Sequence, residues 1–358
     1  MSEVLASLAL IIAAVFLLAI ITDKFFIPSL DAISSRLKLS DEVAGASLMA
    51  IGSSAPELAI ALMALFSDGG AHSDVGIGTI VGSAVFNILV ITGVSAVVAG
   101  GLHIHIFAVG RDIVYYLVSI LYLALVFFDG HVSLIEAILG LAGYVVYMGV
   151  LMVLKDPEAD DAPPASPAET AETREPARVA GWHHLEAVVE AALRRITGAP
   201  ERNFVWAFIV SIVSIVALSY LLVEATIVFS AGIGIPPVIV ALTLLAAGTS
   251  APDLMASVDV AREGRGGMAV ANAVGSNTFD LLVGLALPWT IALSLLGLGG
   301  INVGTGNLWT SIGILVLTTL VLFGFLWTER GLSRREGWIL LALYAVFVVF
   351  TIAGGAGV

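Results

Sequence analysis

Gly52-Ser53-Ser54-Ala55-Pro56-Glu57-Leu58 and Gly248-Thr249-Ser250-Ala251-Pro252-Asp253-Leu254 are near copies of one another. A second pair follows them. Val81-Gly82-Ser83-Ala84-Val85-Phe86-Asn87 matches Val274-Gly275-Ser276-Asn277-Thr278-Phe279-Asp280. The first pair is offset by 196 residues and the second by 193, so a three-residue difference falls between the two motifs of a copy. Both copies set carboxylates, hydroxyls and amides inside otherwise apolar sequence. The reading of the whole chain depends on why such residues stand there.

The surroundings are those of a membrane protein. Of 358 residues, 59% are apolar and 12% charged, with a mean hydropathy of +1.05. An average soluble domain has roughly 25% charged residues, so this chain cannot cover itself with a polar shell. A soluble enzyme and a disordered chain are excluded on that ground, and the net charge of −13 argues against nucleic acid as a partner. There is no cysteine, so disulfides, thiolate nucleophiles and cysteine metal sites are absent.

A helix that crosses a bilayer takes about 20 mostly apolar residues. Ten stretches qualify, near 4–22, 41–66, 74–99, 109–128, 132–154, 203–230, 235–261, 267–296, 306–327 and 335–353. The first has no basic leader, and Asp23-Lys24-Phe25-Phe26 is a poor cleavage site, so it reads as a span. All 15 Lys and Arg residues fall on one side of this ten-span arrangement, and basic loops favour the cytoplasm. Both termini are therefore expected outside and the 155–202 segment inside. Within that segment, Asp156–Ala177 is rich in proline, alanine and acid and is expected to be disordered. After it, Trp182, Leu185, Val188, Val189, Ala192, Leu193 and Ile196 recur at helical spacing, with Arg194 and Arg195 opposite. This predicts a short amphipathic helix on the inner leaflet. A tether between two halves is the plain reading of 155–202.

The first motif pair lies in the second and third spans and the second pair in the seventh and eighth. Equivalent positions are five spans apart, and because five is odd, the second copy enters the membrane upside down. The expected fold is an all-α polytopic membrane protein of ten transmembrane helices, arranged as two inverted five-helix repeats. The halves are 1–154, with its repeat at 41–99, and 203–358, with its repeat at 235–296, joined by 155–202. Secondary transporters are built this way, with the binding site near the midplane.

Glu57, Asp253 and Asp280 are acids inside apolar spans, where a charge costs at least ~2.5–3.5 kcal/mol and marks an ion path. A buried ion pair would need cationic partners, and no Lys or Arg falls within a core span. The missing positive charge is then a bound cation. Pro56 and Pro252 each remove an N–H and break their helix, which frees carbonyls near Ala50, Gly52, Ala246 and Gly248 as neutral ligands. Ser53, Ser54, Ser83, Thr249, Ser250 and Ser276 supply hydroxyls, and Asn87 supplies an amide oxygen. All of these are oxygen donors, which suits hard cations such as Ca²⁺ and Na⁺. Glu224 and Glu136 are read as lying near water at span ends or along a path. Asp112 is expected to pair locally with Arg111, and Asp259 to sit in the last turn of the seventh span.

With these residues in hand, the two G-[ST]-S-A-P-[ED] motifs and the Gly-Ser-x-x-Phe-Asn/Asp that follows each resemble the α-repeats of the cation/Ca²⁺ exchangers. Phe25-Phe26-Ile27-Pro28-Ser29-Leu30, Asp41-Glu42-Val43-Ala44-Gly45-Ala46, Gly78-Thr79-Ile80-Val81 and Leu287-Pro288-Trp289 resemble the K⁺-dependent Na⁺/Ca²⁺ branch, as does Asp253 where glutamate is the alternative. The resemblance implies a Na⁺/Ca²⁺ antiporter working by alternating access, with K⁺ as a candidate co-transported ion. It implies that Glu57 and Asp253 are the central Ca²⁺ carboxylates. Ser54, Ser83, Ser250, Ser276 and the carbonyls of Ala50 and Ala246 would share the Na⁺ sites. Asn87, Asp280 and Thr249 would complete the cluster, with Asp280 implicated in K⁺. The short 155–202 segment implies a minimal prokaryotic exchanger of the inner (plasma) membrane, with no regulatory domain. No cofactor, enzymatic activity or obligate protein partner is expected; the partners are the ions and the lipid bilayer. An H⁺/Ca²⁺ antiporter is the rival within transport, and a cation channel the rival outside it.

Overall fold

A computed structural model describes residues 2–37, 50–67, 72–104, 106–154, 183–198, 200, 202–296, 300–303, 308–329 and 331–355. The expected disordered stretch 156–177, Trp182 and the 41–49 part of the second span lie outside the described residues.

The described chain is nearly all helix. In order, α1 is Ser2–Ile33, α2 Ala50–Ser53, α3 Ala55–Phe66, α4 Ser73–Ala99, α5 Ile106–Val126 and α6 Leu134–Val153. Then come α7 His183–Thr197, α8 Phe204–Ile233, α9 Pro237–Thr249 and α10 Ala251–Arg262. Last are α11 Gly266–Leu295, α12 Trp309–Trp327 and α13 Arg334–Gly354. Eight of these helices are long and apolar enough to cross a membrane, and the pair α9–α10, bent by 45°, makes up to nine among the described residues. The second sequence-predicted span enters the described residues only at Ala50, as α2 and α3. Many large apolar side chains face outward, among them Leu125 (65% exposed), Val145 (70%) and Val346 (64%). Soluble monomers do not present apolar surface on that scale; lipid covers it in an integral membrane protein.

The first span runs longer than its apolar stretch. The helix continues through Asp23 and Lys24 by a π-turn at Thr22–Phe26, and Lys24 Nζ meets Asp23 Oδ2 at 2.9 Å. Local pairing lowers the cost of both charges, so the helix need not end where apolarity does. The amphipathic helix expected in the linker is α7. Its Leu193 packs in a core cluster with residues of α1 and α8, the indole N–H of Trp206 donates to the Ile196 carbonyl at 3.0 Å, and Val188 and Ile196 stay exposed.

α1 packs along α8, and α8 also packs on α3. The first half of α4 crosses α9, its last turns meet α10 and α13, and α5 is flanked by α11 and α12. Two short antiparallel ribbons connect the ends. Gly101–His103 pairs with Gly331–Ser333, and His131–Val132 pairs with Ile301–Asn302. Two helices start on matching capping boxes. Ser133 N–H donates to Glu136 Oε2 at 2.8 Å at the head of α6, and Ser333 N–H to Glu336 Oε2 at 2.7 Å at the head of α13. Glu136, read from sequence as a span-end or path residue, is thus a helix cap.

Candidate cation site at the helix crossing

Both proline motifs break their helices at the same place. Ser54 (φ −91°, ψ 8°) and Ser250 (φ −83°, ψ 1°) leave helical geometry, and Pro56 and Pro252 occupy the second position of the helices that restart, α3 and α10. Proline suits a first turn, where its missing N–H has no partner to lose. The restarted helices present Glu57 and Asp253 in their own first turns, at the positive end of the peptide dipoles. The expectation for Ala246 needs adjustment, because its carbonyl still accepts the Ser250 N–H at 3.1 Å. The carbonyl that Pro252 leaves without its helical partner is four residues back, at Gly248. Ala50 opens α2.

The second motif pair also distorts its helices. π-Segments begin at Asn87 (Asn87–Ile91) and at Asp280 (Asp280–Gly284), the two matched positions. Single π-turns inside α-helices widen the backbone and are frequent at functional sites.

The crossing brings the two motif copies together. Ser83 Oγ and Ser250 Oγ are 2.7 Å apart, and the Asn87 side-chain NH₂ donates to Ser276 Oγ at 3.1 Å. Thr249 and Ser250 are polar neighbours of Glu57, Ser53 of Asp253, and Ser54 of Asp280, so each acid is faced by hydroxyls of the other copy. Glu57, Asp253 and Asp280 are 1%, 5% and 1% exposed, and Asn87 is fully buried. The Thr249 hydroxyl donates to the Leu245 carbonyl at 3.1 Å. Every residue assigned to the site from sequence is therefore at or beside one locus, apart from Ala50, whose placement is described only along the backbone.

Two asparagines at this locus escaped the sequence reading. Asn277 accepts from the Asn87 NH₂ at 2.9 Å and donates to the Ala84 carbonyl at 3.1 Å, tying α11 to α4. Asn272 donates to Ser257 Oγ at 3.1 Å and is a polar neighbour of Asp253. The signal was present for the first: Asn277 stands where the other copy has Ala84, so the polar substitution had no counterpart to explain it.

Four buried oxygens at the crossing have no hydrogen-bond partner: Glu57 Oε2, Asn87 Oδ1, and both Oδ1 and Oδ2 of Asp280. Buried polar atoms are nearly always satisfied, and a buried carboxylate without a donor needs a counter-charge. Every ion pair among the described residues lies elsewhere: Arg111 with Asp112 at 2.8 Å, as expected locally, Arg262 with Asp259 at 3.6 Å, Lys24 with Asp23 and Glu186, Arg194 with Glu190, and Arg265 with Glu263. Glu224 is paired too, since the Ser67 hydroxyl donates to its Oε1 at 2.8 Å. No group of three or more His, Cys, Asp or Glu forms a ready metal cluster among the described residues. The donor set is instead mixed: carboxylates, hydroxyls and amide oxygens. A cavity of about 210 Å³ between α1 and α10 is lined by Phe16, Ile20, Lys24, Met255, and by Ala251 and Pro252, which lead directly into Asp253.

The profile of the family described as "Sodium/calcium exchanger protein" matches residues 7–153 and 203–353, which is most of the chain. The chain belongs to that family. Among curated relatives of this exchanger-family chain, sodium/potassium/calcium exchanger 4 of Homo sapiens is 28% identical over 94% of this chain and 79% of its own length. Sodium/potassium/calcium exchanger 5 of Homo sapiens is 31% identical over 79% of this chain and 69% of its own. Among solved structures, the sodium-calcium exchanger NCX_Mj superposes with a TM-score of 0.56 at 22% identity, covering 97% of this chain and 99% of that one. The H⁺/Ca²⁺ exchanger CAX superposes with a TM-score of 0.65 at 16% identity, covering 98% and 81%. At these identities the two structures speak for the fold. Together these likenesses make the chain an integral membrane protein of the cation/Ca²⁺ exchanger group.

Proposed function

We propose that this protein is a secondary active antiporter that moves Ca²⁺ against Na⁺ by alternating access, with K⁺ co-transported with Ca²⁺. Glu57 and Asp253 hold Ca²⁺. Ser53, Ser54, Ser83, Ser250 and Ser276, with the backbone oxygens about Ala50 and Ala246, hold Na⁺. Asn87, Thr249 and Asp280 complete the cluster. The observation that carries this reading is the set of unpartnered buried oxygens on Glu57, Asn87 and Asp280, at a locus with no basic residue. Ca²⁺ and Na⁺ compete for one set of carboxylates, so one displaces the other. That competition couples the two fluxes without any covalent step.

The architecture proposed with it is ten spans in two inverted halves, 1–154 and 203–358, about the 155–202 tether. The ribbons and caps support it. A five-span shift carries the ribbon between the third and ninth inter-span connections into the ribbon between the eighth and fourth, and the Ser133–Glu136 cap into the Ser333–Glu336 cap. We place the protein in a prokaryotic inner membrane with both termini outside. In the cysteine-free chain, an impermeant maleimide added to intact cells is expected to label Gly70→Cys and to leave Ala168→Cys unlabelled. The reverse pattern overturns the orientation.

The direct test is Ca²⁺ flux in proteoliposomes, with Na⁺ and K⁺ varied independently. A Na⁺ gradient should drive Ca²⁺ uptake where a pH gradient alone does not. Uptake driven only by the pH gradient favours the H⁺/Ca²⁺ reading, which the fold likeness to CAX leaves standing. The matched positions Asn87 and Asp280 differ by one negative charge, and a further cation offsets that charge in the membrane. Asp280→Asn is therefore expected to make exchange insensitive to replacement of K⁺ by choline, while Na⁺-driven Ca²⁺ movement persists at a reduced rate. Indifference of the wild type to K⁺ leaves a plain Na⁺/Ca²⁺ exchanger.

A further inference from the structure

Asn87 of α4 and Asn277 of α11 meet where the two helices touch, and both are fully buried. A side-chain amide has one end that donates and one that accepts, of nearly equal size, so its neighbours decide which end points where. Here the choice starts from the backbone. The Ala84 carbonyl can only accept, so the end of Asn277 that lies 3.1 Å from it is the NH₂. The other end of Asn277, Oδ1, can only accept, so the end of Asn87 that meets it at 2.9 Å is an NH₂ as well. Ser276 gives the same answer independently. Its hydroxyl donates to the Ala273 carbonyl at 3.2 Å, which leaves its oxygen to accept from the Asn87 NH₂ at 3.1 Å. Both hydrogens of that NH₂ are thereby taken. The oxygen left over, Asn87 Oδ1, is buried and has no partner.

The matched positions of the two copies explain why an amide stands at 277 and not at its counterpart. Asn277 corresponds to Ala84, and Asn87 to Asp280. An ionised carboxylate has two equivalent oxygens and accepts whichever way it turns. Asp280 needs no orienting, and Ala84 has no polar side chain to orient it. Asn87 does need it, because an amide turned the other way would aim N–H hydrogens at a cation and repel it. We propose that Asn277 is a positioning residue: by holding the Asn87 NH₂ it turns Asn87 Oδ1 into the site as a neutral oxygen ligand of the bound cation. That Asn87 is a ligand rests on the cluster proposed above; the fixed orientation of its amide does not.

Asn277→Leu keeps nearly the same volume and removes the acceptor. Asn277→Ala, the residue of the other copy, takes its place if the leucine variant does not fold. Thr278→Val is the control at the next position of α11, where the Thr278 hydroxyl donates within its own helix to the Val274 carbonyl at 3.1 Å. The full chain, purified in detergent, is unfolded thermally in rising Ca²⁺, Na⁺ or K⁺ at constant ionic strength made up with choline. A ligand that binds the folded state raises the midpoint with its concentration. Asn87→Ala identifies the ion that the amide oxygen holds. Asn277→Leu should raise the half-saturating concentration of that same ion by about fivefold, the size expected for loss of one polar contact. The double variant should lie within about twofold of Asn87→Ala alone, because a residue that acts through Asn87 then has nothing left to position. Thr278→Val should shift no ion. Single effects that multiply in the double variant are the mark of an independent packing role and overturn the proposal. So does an unchanged half-saturation in the Asn277 variants, and so does a shift in ions that Asn87→Ala leaves alone. An Asn87→Ala variant that binds every ion as the wild type does overturns it together with the place of Asn87 in the cluster. Ion binding that depends on Asn277 through Asn87, without Ca²⁺ flux in vesicles, sinks the antiport reading and leaves the positioning role standing.

Discussion

Asp253→Asn is expected to reduce Ca²⁺ transport to background while the protein still folds, and Glu57→Gln to do the same. Each change keeps the size of the side chain and removes one of two charges that face the crossing from opposite copies. With both carboxylates present, a divalent ion is neutralised; with one, a net charge is left in a low-dielectric interior. Breaking a buried charge pair costs about 3–5 kcal/mol, which is a loss of affinity of about 100-fold or more. Folding should survive, because neither carboxylate is bonded to a basic side chain whose charge would be stranded. The measurement is Na⁺-driven Ca²⁺ flux, with the elution profile and thermal midpoint of each variant as the folding control. Transport near the wild-type rate by either variant, at equal incorporation, refutes the assignment of the pair.

Gly82→Ala is expected to abolish transport and destabilise the protein, while Gly275→Ala is tolerated. The two glycines are the same position of the two copies, so the sequence alone offers no reason to treat them differently. A Cβ on Gly82 would run into the Leu242 carbonyl oxygen and stand 2.7 Å from the Ala246 Cβ, both on α9. Backbone cannot step aside as a flexible side chain can, so α4 and α9 must separate at the crossing that sets Ser83 against Ser250. Overpacking of this kind costs about 1–3 kcal/mol, and hydroxyls held 2.7 Å apart lose their geometry with it. A Cβ on Gly275 would meet only the Tyr147 hydroxyl, at 3.8 Å. There alanine brings the helix propensity that glycine lacks, worth about 0.5–1 kcal/mol. Thermal midpoints and flux for the two variants, measured side by side, decide the matter; equal effects would show that the crowding at Gly82 is not what holds the crossing.

Much of this molecule is legible along the chain. Hydropathy is a local property, and a bilayer demands the same apolar length of every crossing helix, so composition and run length lead directly to a polytopic helical membrane protein. The proline motifs carry their break with them, since a missing N–H disrupts its own helix whatever lies nearby; Ser54 and Ser250 leave helical geometry within two residues of Pro56 and Pro252. The acids stood out for the same reason, because a charge with no basic residue in its span is anomalous on inspection of the sequence alone.

What the chain by itself determined is therefore its membrane class, its repeated motifs, and the identity of Glu57, Asp253, Asp280 and their hydroxyl companions as residues that a bilayer would not hold without a purpose. The tertiary structure alone decided which of their oxygens are satisfied. Asn277 is a bridge because Ala84 lies across the crossing from it, the Ala246 carbonyl keeps its helical partner, and Glu136 is a cap. These facts join residues up to 193 positions apart. Spacing within a helix fixes which face a side chain occupies, whereas the partner it meets depends on how two helices cross, and that is set by packing over the whole fold.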